Sequence, residues 1–208
     1  GGYIKRMPLK QFESQGRGTR GKRGSSLPSS SSDLSVEDEN EIAHCFTCND
    51  HDTLLMVTQK GIAYGLRAYQ VPTAGRTAKG QPIPSVLPNI PMTDVITSIL
   101  PIPSSTSSQK DSGGDDDDNS HKFVVLATEQ GWIKKTPLQA FENLTSRGLT
   151  IATLEEDDRL NWCQVCQDGD DILIGSIQGK ATRFELATLR PTGRTSRGVI
   201  SMKLREGD

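Results

Sequence analysis

Arginine and lysine residues interleaved with glycines form the most distinctive chemical pattern in this chain. The densest example, residues 14–24, reads Ser-Gln-Gly-Arg-Gly-Thr-Arg-Gly-Lys-Arg-Gly. Because glycine has no Cβ, a glycine-rich backbone can approach another surface closely. Guanidinium groups present forked N–H donors that match the oxygens of a phosphate group. This loop is therefore suited to a polyanion, with much of the affinity coming from released counterions.

Two shorter segments carry the same chemistry, Gly-Arg-Thr-Ala-Lys-Gly at residues 75–80 and Gly-Arg-Thr-Ser-Arg-Gly at residues 193–198. One basic residue before a glycine is typical of a tight turn with a solvated charge. Several in register indicate a repeated anion-binding surface, for which a nucleic acid is favoured over an acidic protein partner. The residues predicted to make this surface are Gln15, Arg17, Gly18, Arg20, Gly21, Lys22, Arg23, Arg76, Lys79, Arg147, Arg194 and Arg197.

An internal repeat determines where these loops fall. Each basic-glycine pair lies 17 or 19 residues after an earlier glycine, and the four earlier glycines are Gly2, Gly61, Gly131 and Gly179. Apolar runs around these glycines predict strands at 40–46, 53–58, 94–102, 123–128, 158–166 and 171–176. Four short strands per unit are typical of a propeller-like array, which places equivalent loops on one rim. A β-sandwich would not require such equal spacing.

We therefore predict an all-β fold, a propeller-like array of four-stranded blades with three to four blades in the chain. The predicted repeat units are 1–39 (partial), 40–93, 94–157 and 158–205, with the next beginning at 206. Serine- and aspartate-rich composition predicts disordered loop insertions at 25–39 and 104–122. The chain is expected to be a piece of a larger ring, since it begins and stops inside a repeat.

Composition excludes several other classes of protein. With 20 Gly, 11 Pro and 33% hydrophobic residues, the chain does not suit a helical bundle. No apolar run approaches the roughly 20 residues that a membrane helix needs. The net charge of −2 hides a strong segregation, with seven basic residues and one acid in residues 1–24 and seven acids without a basic residue in residues 33–52.

Residues 15–21 resemble the seven-residue box (Gln, basic, Arg, Gly, Gly, basic, Gly) found in the C-terminal domain of DNA gyrase A. Gly16 replaces a basic residue of that box, and Thr19 replaces a glycine. Pro-Leu-x-x-Phe after a strand, at residues 8–12 and 137–141, is also similar to that domain. The resemblance covers the chain apart from the two low-complexity insertions.

The resemblance implies a β-pinwheel that binds and wraps double-stranded DNA around a basic rim. As part of DNA gyrase A, it would enable ATP-dependent negative supercoiling by a type II topoisomerase. The segment itself would be non-catalytic and without a cofactor, since ATP and Mg²⁺ are expected elsewhere in the holoenzyme. The implied partners are double-stranded DNA, the rest of gyrase A and its partner gyrase B, and no membrane.

Two alternatives remain open: the corresponding domain of topoisomerase IV, a decatenating enzyme, and a propeller that serves as a protein-interaction scaffold. The box favours gyrase over topoisomerase IV. Binding that survives high salt would favour the scaffold. The expected location is the bacterial cytoplasm (nucleoid) or a DNA-containing organelle such as a plastid or mitochondrion, because the chain opens without a signal peptide and is not expected to be secreted.

Two Cys-x-x-Cys pairs, at residues 45–48 and 163–166, have a spacing found in zinc sites. Residues three apart on a strand point to opposite faces, which is poor geometry for chelation. We therefore predict strand packing and no metal ligand, and four unpaired thiols that fit a reducing compartment.

Overall fold

The computed structural model describes residues 2–12, 17–18, 42–104, 121–205 and 207. Short strands dominate these residues, accompanied by one four-residue α-helix, α1 (Ile83–Val86). Short 3-10 helices lie at Leu9–Gln11, Ala68–Gln70, Leu138–Phe141 and Leu186–Thr188. The strands are β1 (Tyr3–Ile4), β2 (Thr53–Thr58), β3 (Ile62–Arg67), β4 (Gln81–Pro82), β5 (Ile96–Ile102), β6 (Lys122–Thr128), β7 (Trp132–Pro137), β8 (Leu149–Thr150), β9 (Leu160–Gln167), β10 (Asp171–Gly175), β11 (Ala181–Glu185) and β12 (Val199–Ile200). No helix within the described ranges is long and apolar enough to cross a membrane.

Three antiparallel hairpins, β2–β3, β6–β7 and β10–β11, form the centre of the repeat. Each turns on a glycine with positive φ, at 74° for Gly61, 81° for Gly131 and 79° for Gly179. The N–H of each glycine donates to the carbonyl three residues earlier, at 3.0 to 3.1 Å. The structure thus confirms that these glycines mark equivalent turns.

The strands form four sheets, which we call blades 1 to 4, and the three hairpins belong to blades 2, 3 and 4. Blade 2 has the strand order β5-β2-β3-β8, and blade 3 has the order β12-β7-β6-β9. Blade 1 consists of β1 and β4, and blade 4 of β10 and β11. The all-β prediction with four-stranded blades is confirmed.

In each complete blade, both outer strands come from residues that follow the blade's own hairpin in the sequence. After the β6–β7 hairpin of blade 3, the chain crosses back to blade 2, where β8 pairs with β3 through Ile62–Thr150 and Ala63–Leu149. The chain makes the same crossing after blade 4, where β12 pairs with β7. β4 pairs with β1 in the same way, so neighbouring blades exchange strands throughout the described part of the chain.

The core lies between stacked blades. On β2, Leu55 and Val57 face a cluster shared with blade 3, whereas Leu54 and Met56 face a cluster that includes residues of blade 1 and α1. A third cluster around Phe123 joins blades 3 and 4. Both faces of the inner blades are therefore covered, which explains why their strands are continuously apolar.

Two sequence-based expectations are wrong. The described part of the strand predicted at 40–46 has no strand structure and is exposed. Its counterparts β5 and β9 each pair with the first strand of a hairpin, and a corresponding strand before β1 is not among the described residues. The position of Trp162 on a strand predicts that it packs between blades, but the residue is 59% exposed on β9, an outer strand of blade 3.

A glycine is required where the crossing segment enters its new blade. Gly80 and Gly198 occupy equivalent positions with φ of 93° and 104°. A Cβ on Gly80 would lie 2.5 Å from the carbonyl oxygen of Ile4, and one on Gly198 would meet the backbone of Ile133. Only glycine combines this φ with so close an approach.

We predict that Gly198→Ala lowers the free energy of unfolding by about 1–3 kcal/mol, because it adds backbone strain and a clash. Gly193→Ala is the matched control, since that glycine has no atom within 4 Å of an added Cβ and no positive φ. The control should change stability by less than about 0.5 kcal/mol. Urea denaturation measures both, and equal losses would contradict the prediction.

Candidate nucleic-acid interface

The structure describes seven of the residues predicted to bind the polyanion. Arg17, Lys79, Arg147 and Arg194 are exposed, as is Gly18, whose φ is 83°. Arg76 and Arg197 are partly buried. The remaining predicted residues lie outside the described ranges and stay predictions, namely Gln15, Arg20, Gly21, Lys22 and Arg23.

Two loops, Gly75–Gly80 and Gly193–Gly198, share one geometry, and we call them the basic loops. Each lies directly before the strand that crosses to the preceding blade, β4 or β12. In each, the N–H of the fourth residue donates to the carbonyl of the first, with Ala78 to Gly75 at 3.1 Å and Ser196 to Gly193 at 3.3 Å. They therefore lie at equivalent edges of blades 1 and 3.

The middle loop, residues 143–148, precedes β8 at the same edge of blade 2. It keeps the basic-glycine pair Arg147-Gly148 but has Leu144 where the basic loops have an arginine. The Cβ position of Gly65 lies 2.7 Å from the Cβ of Leu144, so the backbone of blade 2 approaches this loop closely. The middle loop thus offers one cation where each basic loop offers two.

An aromatic ring supports the second cation of each basic loop. The Lys79 ammonium lies 4.1 Å from the ring centroid of Tyr3, and the Arg197 guanidinium lies 3.5 Å from that of Trp132. Tyr3 and Trp132 both directly follow the repeat glycine. Cation–π attraction of about 0.5–1 kcal/mol at exposed sites restricts where these cations point. Sequence reasoning missed the two rings, although their shared position beside a glycine was visible.

Arg197 also forms an ion pair with Glu155, which is on the segment between β8 and β9. The side chains of both residues are partly exposed, at 37% and 49%, so the pair is weakly stabilising in water. A phosphate competing for Arg197 would displace this carboxylate at small cost.

A lysine lies beneath each basic loop and holds it, buried in the case of Lys134 and half-buried in the case of Lys5. Lys134 is 2% exposed, and its Nζ donates to the carbonyl oxygens of Gly193 at 3.1 Å, Arg194 at 2.5 Å and Ser196 at 3.0 Å. Burial lowers the pKa of Lys134 to about 8, because desolvation penalises the charged form. In the other basic loop, Lys5 Nζ donates to the carbonyl oxygens of Arg76 at 2.7 Å and Ala78 at 2.9 Å.

The basic residue that follows each of these lysines is also structural. Lys135 is 3% exposed, donates to the carbonyl oxygen of Leu186 at 3.0 Å and lies 4.5 Å from the ring centroid of Phe123. Arg6 pairs with Asp50 at 2.5 Å. Lys134 and Lys135 therefore support the loop and the blades from within the fold, and the half-buried Lys5 and Arg6 make contacts at the equivalent positions of blade 1.

Neither Cys-x-x-Cys pair is part of a cluster of three or more potential metal ligands among the residues that the structure describes. Cys163 belongs to the core between blades 2 and 3, and Cys166 to the core between blades 3 and 4. The two thiols thus point to opposite faces of β9, as the strand geometry predicts.

Blades that are stacked face to face and completed by strands from further along the chain define a β-pinwheel. A family model described as the DNA gyrase C-terminal domain, beta-propeller, matches residues 1–49, 52–83, 122–167 and 170–208. The chain therefore belongs to the DNA gyrase C-terminal domain family.

Relatives agree with this assignment. The chain is 40% identical over 209 residues to DNA gyrase A of Synechocystis sp., covering 100% of this chain and 22% of that protein. It is 34% identical over 198 residues to DNA gyrase A of Halalkalibacterium halodurans, covering 95% of this chain and 21% of that protein. The chain thus spans about a fifth of the length of these relatives.

Solved structures show the same fold. A structure of a DNA gyrase A C-terminal domain matches 99% of this chain and 59% of its own, with a TM-score of 0.62 and 26% identity. The crystal structure of the C-terminal domain of DNA topoisomerase IV matches 99% of this chain and 55% of its own, with a TM-score of 0.70 and 23% identity. The second likeness is evidence of fold alone.

We predict that Cys45 reacts with a thiol reagent much faster than Cys163 in the native chain at pH 8. Cys45 is exposed, whereas Cys163 is buried and burial raises the pKa of its thiol, so little thiolate forms. Mass spectrometry of timed samples measures the two labelling rates. Because Cys48 is exposed as well, the control replaces Cys45 and Cys48 together by serine, which should remove the fast labelling. Rapid labelling of Cys163 without unfolding would contradict the prediction.

Proposed function

We propose that this chain binds double-stranded DNA and wraps it around a rim formed by its basic loops, as part of a protein of the DNA gyrase A type. The observation that carries the proposal is the recurrence of one loop geometry, with two cations each, at the same edge of blades 1 and 3. Membership in the gyrase C-terminal family supports DNA as the polyanion.

Bending explains why one cationic loop would not be enough. Curving 20–30 base pairs through 40–90° costs about 1–6 kcal/mol. Contacts to phosphates spread along a curved rim offset this cost without reading bases, as histones do. Repeated loops on successive blades provide such a series, so we expect weak sequence preference and steep salt dependence.

In the whole protein, the wrapped segment would be passed to the rest of gyrase A and to gyrase B for ATP-dependent negative supercoiling. ATP and Mg²⁺ would be bound elsewhere in that holoenzyme, and this segment would contribute binding and curvature. The proposed location is a compartment that contains DNA, either the bacterial cytoplasm or an organelle such as a plastid or mitochondrion.

A role in topoisomerase IV is the second candidate, because that enzyme's C-terminal domain has the same fold. The gyrase role is preferred because the two gyrase A relatives above match nearly the whole chain at 40% and 34% identity. The two roles differ in whether the domain changes the linking number of the DNA it binds.

We predict that the chain shifts the linking number of a plasmid relaxed by a type I topoisomerase in its presence. Replacing Arg17, Arg20, Lys22 and Arg23 together by alanine should abolish the shift, because the densest cluster of phosphate contacts is lost. Two-dimensional gel electrophoresis of the plasmid measures this shift at about 50 mM salt.

The matched control exchanges arginine and lysine at the same four positions and so preserves the charge. Retention of the shift in this variant, with loss in the alanine variant, assigns wrapping to charge at residues 17–23. Binding without any shift would favour the topoisomerase IV role. Absence of binding at low salt, or binding that persists at high salt, would favour the protein scaffold.

A further inference from the structure

We propose that Lys134 and Lys5 are positioning residues of this rim, each holding a basic loop in the shape that directs its cations toward phosphates, without contacting DNA. The inference rests on the proposed function. The sequence does not show that these two lysines are covered, whereas the structure places both beneath loops.

The hydrogen bonds of Lys134 match the capacity of an ammonium group. A lysine ammonium has three donors and no acceptor, and Lys134 Nζ meets three carbonyl oxygens of one loop within 3.1 Å. The side chain is 2% exposed, so it is not available to a ligand in solution. A buried charge with this arrangement serves the loop above it.

Lys5 repeats the arrangement at an independent place in the chain. It binds the carbonyls of the second and fourth residues of its loop, Arg76 and Ala78. Lys134 binds the carbonyls of the second and fourth residues of its own loop, Arg194 and Ser196, in addition to that of the first. Both lysines lie three residues after a repeat glycine. The same contacts in two blades indicate a common role.

Blade 2 provides an internal comparison. Tyr64 occupies the position of the two lysines, and the loop above it lacks the first arginine, which is replaced by Leu144. The fourth carbonyl of that loop, from Ser146, accepts instead from the amide of Asn89 at 3.0 Å. A neutral donor is therefore sufficient to hold a loop in place, and among the three loops that the structure describes the ammonium lies under the two that carry two cations.

The direction of the carbonyls explains what the ammonium achieves. The carbonyl oxygen of Thr195 accepts from the hydroxyl of Thr153 at 2.6 Å, so the carbonyls of residues 193–196 are all held within the protein. In a trans peptide the N–H points opposite to the C=O, and the described part of the chain has no cis peptide. The N–H groups of residues 194, 195 and 197 therefore point away from Lys134.

Those outward N–H groups complete an anion-binding surface. Among the described residues, the N–H groups of Arg194, Thr195 and Arg197 donate no hydrogen bond within the chain. Successive backbone N–H groups in a turn form a concavity that suits an anion. Together with the two guanidinium groups, they would bind a phosphate on the side opposite Lys134.

The surroundings of Lys134 determine how it titrates. The charged groups near it come from its loop, Arg194 and Arg197, and from Glu155, which pairs with Arg197. Leu126 lies opposite Lys134 on β6, and Val199 of β12 pairs with the adjacent Ile133, so these strands contribute apolar groups. The lowered pKa of Lys134 arises from burial.

With a pKa of about 8, about nine-tenths of Lys134 is protonated at pH 7 and about one-tenth at pH 9. Loss of the proton removes donors from the loop, so DNA affinity should fall through this window. The unfolded lysine holds its proton to a higher pH, near 10.5, so this group makes the fold more stable as the pH rises from about 8 to 10.5. A decrease in DNA affinity as Lys134 loses its proton would therefore not be caused by a less stable fold, because the same loss of the proton makes the fold more stable.

The test measures binding of linear duplex DNA to the full chain by fluorescence anisotropy between about 50 and 200 mM salt. Lys134→Met should weaken binding several-fold at pH 7 and reduce the slope of log K against log salt by about 2. The reason is that Arg194 and Arg197 would no longer contact phosphates of the DNA. Arg194→Ala with Arg197→Ala should have the same effect. Adding Lys134→Met to that pair should cause no further loss, since the lysine acts through the arginines.

Lys134→Arg is the conservative control, because it keeps a charge and donors with a pKa above the range tested. It should restore binding at pH 7 and remove the decrease in affinity between pH 7 and 9 that the wild type shows. Lys5→Met with Arg76→Ala and Lys79→Ala repeats the cycle at the other basic loop, so that a failure of Lys134→Met to fold leaves the inference testable. Circular dichroism verifies folding of each variant.

Additive losses in the combined variant would overturn the inference, because they would mean that the lysine contacts DNA itself. If Lys134→Met and Lys5→Met both bind DNA as tightly as the wild type, the inference is overturned, whereas the proposed function is not. A wild type that fails to bind DNA at low salt would instead overturn the proposed function.

Discussion

The two-residue pairing between a crossing segment and the preceding blade is the contact on which the rest of this structure depends. β8 joins β3 through only two residue pairs, and the N–H of Ile151 extends the contact to the carbonyl oxygen of Gly61 at 2.8 Å. Because the loop before each crossing strand is fixed at one end by its own blade and at the other by a neighbour, its conformation is restricted. The cations that it carries are therefore held at a defined edge of the sheet.

Much of the fold could be predicted from sequence because its turns require glycine. Gly61, Gly131 and Gly179 have positive φ at identical turns, so their spacing revealed the hairpins. Exchange of strands between blades could not be predicted, since β8 and β12 are only two residues long and carry no pattern of their own. Trp162 was misplaced because an apolar side chain on a strand does not by itself show whether that strand is covered.

Only part of the candidate interface could be predicted from the sequence. Basic residues next to glycines identified the loops, but the support beneath them was hidden, because a lysine on a strand normally indicates an exposed face. Lys134 is buried only because the loop of the following unit folds over it, and that contact joins residues 59 to 62 positions apart. Local pattern contains no information on a contact of that separation.

Exchange of strands also bears on how repeats of this kind can be gained or lost during evolution. The stretch from β5 to β8 supplies two outer strands to blade 2 and a hairpin to blade 3, and β9 to β12 supplies the same set one blade further on. If recombination removed β5 to β8, β9 would follow blade 2 and could pair with β2, and β12 could pair with β3. Each blade is completed by whichever unit follows it, so the number of blades can change by unequal crossing-over without leaving a strand unmatched.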